Sequence, residues 1–83
     1  MIKITLTESE LEQLWAIIDF DLGVIMNNSL NGLDLNLSDN HYASMYDILL
    51  TYSDVNLFAQ EFLHKFLKYN NDSIIKPYPI NSI

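Results

Sequence analysis

The chain has 83 residues, 49% of them apolar, no cysteine, and eleven acidic side chains against four lysines, for a formal charge of −7. A domain this small buries only about two-thirds of the surface its unfolded chain exposes, so support from a second chain is expected. The absence of cysteine excludes disulfides, thiolate zinc sites and cysteine nucleophiles, and the charge repels phosphate backbones and anionic lipid, so neither direct nucleic-acid binding nor membrane binding is expected.

Residues Ile2 to Leu6 alternate apolar and polar, the period of a short half-buried strand. Thr7 followed by Glu10 makes a capping box, with Leu6 and Leu11 at the two positions of a hydrophobic staple, and this predicts a helix from Glu8. Its period runs to about Met26, where Asn27, Asn28 and Ser29 favour a turn. At about 100° per residue, Leu11, Leu14, Trp15, Ile18, Leu22, Ile25 and Met26 share one broad face, and Ile17, Phe20 and Val24 form a second apolar line almost opposite.

Asn31-Gly32 is a turn dipeptide, and Leu33 to Leu37 alternates without a break, which predicts a second short strand or an extended loop whose leucines plug the core. Joined to the first strand across one helix, it is expected to pair in parallel through a right-handed crossover. Ser38 as N-cap opens the next helix, whose core face is Tyr42, Met45, Tyr46 and Leu49, broadened by Ile48 and Tyr52. Ser53-Asp54 reads as a break and a fresh cap. The last helix then runs from Val55 to about Tyr69, with Val55, Phe58, Ala59, Phe62, Leu63 and Phe66 on its apolar face and Lys65 and Lys68 near its C-terminus, where cations complement the macrodipole. Asn70-Asn71 suits a left-handed cap, and Pro77 and Pro79 restrict the remainder to an extended edge, strap or frayed end. The expected fold is α+β and mainly helical, one compact domain over 1–73 with an extended tail at 74–83; an all-α three-helix bundle is the alternative.

Chemistry finds little purchase. His41 and His64 have no second ligand at metal spacing. The run Asp34-x-Asn36-x-Ser38-x-Asn40 has the outline of a calcium loop, but Asp39 stands where the glycine belongs and Met45 where the bidentate glutamate belongs, so these read as turn and capping residues. Asp19 and Asp21 fall about 200° apart around a helix and cannot act together on one substrate. No serine lies in a nucleophile elbow, and two glycines do not make a phosphate loop. The expectation is no catalytic residue, no cofactor, no metal and no enzyme. Tyr42 and Tyr46 suit either a small pocket or the core, and their spacing favours the core.

The second line is different. Ile17, Phe20 and Val24, with Gln13 and Asp21 at the margins, have the apolar centre and polar edge of an interaction patch; burial under the last helix or the tail is the competing reading. The functional expectation is a small acidic protein-interaction module, a homo-oligomer that binds or inhibits another protein in the manner of an antitoxin, an immunity protein or a phage inhibitor. The alternative is an oligomer that sequesters a small ligand or nucleotide, which would need two or more of Lys3, Lys65, Lys68 and Lys76 to converge on one cleft. Carboxylates scattered along the chain do not by themselves point to a basic partner. The start of the sequence lacks a signal-peptide core, and the longest apolar run, Trp15 to Ile18, is four residues, far short of the roughly 20 that span a bilayer, so a cytoplasmic location is expected. The lack of arginine beside abundant Asn and Ile fits an AT-rich bacterial or phage genome.

Overall fold

A computed structural model describes residues 1–17 and 20–69. Among them, four helices and one three-stranded antiparallel sheet make a mainly helical α+β fold, in the order β1 (Ile2–Thr5), α1 (Glu8–Ala16), α2 (Phe20–Ser29), β2 (Leu30–Asn31), β3 (Asp34–Leu37), α3 (Asp39–Tyr52) and α4 (Leu57–Leu67). The sheet sets aside the all-α alternative.

β3 lies between β1 and β2 and is antiparallel to both, with Ile4 opposite Leu35 and Leu30 opposite the same leucine from the other side. Period-two alternation turns Ile4, Leu35 and Leu37 into the core and puts Lys3, Thr5, Asp34 and Asn36 on the outer face. The parallel pairing expected for β1 and β3 is therefore wrong, for an identifiable reason. β2 does run in the same direction as β1, as a helical crossover implies, but a two-residue turn reverses the chain at once and inserts β3 between them. That turn is Gly32-Leu33, one residue later than the Asn-Gly dipeptide suggested: Asn31 pairs with Asp34, and Gly32 takes the first loop position with φ 63°. A left-handed first position is what a type II′ hairpin turn requires, and glycine meets it without a Cβ clash.

The helix expected over 8–26 is two helices. α1 ends at Ala16, and Ile17, at φ −102° and ψ 10°, donates its N–H to the carbonyls of Gln13 and Leu14 at 3.3 and 3.2 Å, the tightened geometry of a last turn. Ile17-Ile18-Asp19 brings together two β-branched residues and an aspartate, all weak helix formers. Ile18, expected in the core, and Asp19 lie outside the described residues. α2 then continues through the Asn27-Asn28 pair to Ser29, burying Leu22, Ile25, Met26 and Ser29 at i, i+3, i+4 and i+7. Trp15 is exposed rather than in the core. With α1 cut short, Leu14 is its one buried residue, and the helix touches the core along a line too narrow to include a neighbour about 100° away.

Ser38 caps α3 as expected, accepting the His41 N–H at 3.1 Å, and Tyr42, Met45, Tyr46 and Leu49 are all buried. α4 starts later than expected. Residues 53–55 form a turn, and the cap is Asn56, whose side chain accepts the Ala59 N–H at 3.0 Å. Val55 consequently stands outside the helix and outside the core. The Tyr42 hydroxyl donates to the Phe66 carbonyl at 2.6 Å while its ring stacks on Phe66 at 4.4 Å, tying α3 to α4. Burial, with Tyr46 alongside, pushes the Tyr42 pKa up to about 12, so the hydroxyl keeps its proton throughout the neutral range. Tyr42 and Tyr46 are thus core residues rather than pocket walls. One cluster of buried side chains joins β1, β3 and all four helices. The proposed Asn70-Asn71 cap, the end of the expected domain at 73 and the tail at 74–83 lie outside the described residues.

Candidate functional site

At the start of α1 the Thr7 hydroxyl accepts the Glu10 N–H at 3.0 Å, and Glu10 Oε1 accepts the Thr7 N–H at 2.8 Å, the reciprocal capping box. Lys65 does not stay with the C-terminus of its own helix. It crosses from α4 to the same Glu10 Oε1 at 2.6 Å and donates to the Thr5 carbonyl at 2.7 Å. Desolvation alone would raise the Glu10 pKa, but the hydrogen bond from Lys65, the Thr7 N–H and the lysine's charge outweigh it and hold the carboxyl below its usual value. On the outer face of the sheet, Lys3 lies 3.6 Å from Asp34, which also accepts the Thr5 hydroxyl at 2.8 Å. These are the two ion pairs among the described residues, and both serve the fold.

The five residues expected to form one interaction patch line two different grooves. Phe20, Asp21 and Val24 lie on the outer side of α2, with Phe20 83% and Val24 41% exposed. With Ile25 they form one wall of an open groove of about 460 Å³. The other wall is Ser44, Asp47 and Ile48 of α3. Its floor is apolar and its rim carries two carboxylates, neither paired with a cation among the described residues.

Gln13 and Ile17 belong to a second groove, of about 320 Å³, between the end of α1 and the start of α4. Facing them are Val55, Asn56, Leu57 and Phe58. Val55 is 87% and Leu57 68% exposed, Ile17 is half-buried against the core, and none of the described lining residues is ionisable. The sequence pattern missed Val55 and Leu57 as surface residues because it capped α4 at Ser53-Asp54; taking Asn56 as the cap places Val55 before the helix. Asp47 and Ile48 carried no local signal for the first groove, since only the packing of α3 beside α2 brings them there.

No lysine among the described residues lines either groove. Among the described residues no group of three or more His, Asp or Glu is placed to hold a metal ion, and no helix is long and apolar enough to cross a membrane. Asp34 and Asn36, in the outline of a calcium loop, are paired strand residues of β3, and Ser38 is a helix cap. Comparison with known protein families, characterised proteins and solved structures finds no match to this chain.

Proposed function

We propose that this chain is a cytoplasmic protein-interaction module that self-associates through the uncharged α1–α4 groove and occupies a surface of another protein with the α2–α3 groove, inhibiting it as an antitoxin, immunity protein or phage inhibitor does. One observation carries the reading: large apolar side chains stand exposed on both sides of the helix break, while the core is filled without them. An apolar surface that the fold does not need is most economically explained by a partner. The division of labour follows from charge. A symmetric contact sets each surface patch against its own copy, which an uncharged groove tolerates and an aspartate-rimmed one resists. A nucleotide-sequestering role gains no support from the described residues, since Lys3, Lys65 and Lys68 line neither groove.

Light scattering after size exclusion, read with far-UV circular dichroism, tests this. The wild type should exceed monomer mass, Val55→Glu with Leu57→Glu should return it to monomer with helicity kept, and Phe20→Glu should keep both mass and helicity. A wild type that is monomeric at every concentration defeats self-association. An unfolded Phe20→Glu variant would mean that the α2 face is covered within the chain.

A further inference from the structure

We propose that the α2–α3 groove receives a lysine- or arginine-bearing amphipathic segment of another protein, an apolar side chain entering beside Val24 and Ile48 while flanking cations meet Asp21 and Asp47. The proposal rests on the docking role assigned above to this groove and names the chemistry of the partner.

Charge complementarity selects the occupant. Among the described residues the groove's ionisable lining is two aspartates, one on each wall, and neither carboxylate has an ion pair there. Lys3 and Lys65 are already bonded, to Asp34 and Glu10. An entirely apolar guest would leave the two carboxylates partly desolvated without compensation, a cost that flanking cations remove. A second copy of the chain is a poor guest in this groove, because a symmetric contact here sets the same two aspartates against their copies. Phe20, exposed next to Asp21, adds a ring face on which a guanidinium stacks while its donors reach the carboxylate. The volume of about 460 Å³ suits one or two anchoring side chains, and a helix or strand laid along the groove would present them at regular spacing.

The test uses the full chain labelled with ¹⁵N and two synthetic amphipathic peptides, one of leucine and lysine and its counterpart of leucine and glutamate. The leucine–lysine peptide should shift the amides of residues 20–25 and 44–48. Asp21→Asn with Asp47→Asn should weaken its binding about tenfold at low salt, and Glu12→Gln with Glu61→Gln, equal in charge but exposed outside the groove, less than about twofold. Equal weakening by the two double variants, or shifts confined elsewhere, overturns the proposal. If the leucine–glutamate peptide binds the groove as tightly and Phe20→Glu abolishes both complexes, the cationic partner is wrong and the docking role stands. If neither peptide moves the groove amides at about millimolar concentration, a range in which even weak specific docking registers, both fall. Groove shifts produced by Lys76→Glu without peptide would make the chain's own C-terminal segment the occupant and equally overturn the proposal.

Discussion

Glu10 and Asp21 stand on consecutive helices of one acidic chain and meet different circumstances. Glu10 accepts a backbone N–H and a lysine delivered from the far end of the sequence, so its charge is answered inside the fold. Asp21 and its neighbour across the groove, Asp47, flank an apolar floor with no cation brought to them among the described residues. With so few cations in the sequence, where they are placed carries information. Lys65 locks the start of α1 to the end of β1, whereas Asp21 and Asp47, which share a groove with exposed Phe20, have no ion pair among the described residues.

The largest expected effect tests whether both regions hang on one core. Leu22 is fully buried on the inner side of α2, two residues from exposed Phe20. Leu22→Ala should cost about 2–5 kcal/mol and melt both regions together, whereas Phe20→Ala should change stability by no more than about 0.5 kcal/mol. Similar thermal melts for the two variants would show that the sidedness of α2 is wrong.

Next comes the answered carboxylate itself. Lys65→Met removes the cation and should cost about 1 kcal/mol at neutral pH. Because the Glu10 pKa is lowered in the folded state, its contribution is present above the ordinary carboxyl value of 4.5 and is lost as pH falls through the folded pKa. The wild type should therefore lose stability below about pH 4.5 more steeply than Lys65→Met, measured by denaturant titration across that range. Parallel pH profiles would remove Lys65 from the account.

Thr7→Ala breaks one half of the capping box and should cost about 1 kcal/mol, with amide exchange rising chiefly at residues 9–11. Unchanged exchange there would count against the cap. The smallest effect belongs to the groove: Asp21→Asn with Asp47→Asn should leave chemical stability within about 0.5 kcal/mol, since neither carboxylate has an ion pair to lose among the described residues. A loss above about 1 kcal/mol would place these carboxylates with Glu10 as parts of the fold.

Two signals that act within one turn were legible in the sequence, whereas the Asn56 cap was not. The Thr7–Glu10 box and the Ser38 cap each depend on a hydrogen bond three residues long, and they stand where the residues indicated. The buried face of α3 and most of that of α4 followed from a 3.6-residue period, and β1 and β3, though not β2, from a period of two, because each periodicity reflects a single element against a single core. The break at Ile17 was weaker: β-branched residues and an aspartate lower helix propensity, yet the apolar period continues across it and masked the boundary. Of the candidate patch, Phe20, Asp21 and Val24 were visible as apolar and acidic neighbours on one helix, but the second groove that Gln13 and Ile17 line was not.

The sequence by itself determined that this is a mainly helical domain with short strands, where two of its helices begin, and which residues of α3 and most of α4 face inward. Only the tertiary structure decided the direction of strand pairing, the destination of Lys65 and the meeting of Asp21 with Asp47. Lys65 reaches a residue 55 positions away, and Asp21 and Asp47 share a groove only because α2 and α3 pack side by side. No local propensity encodes such distances. They emerge when the chain buries one continuous core and the leftover surfaces take whatever neighbours that packing assigns them.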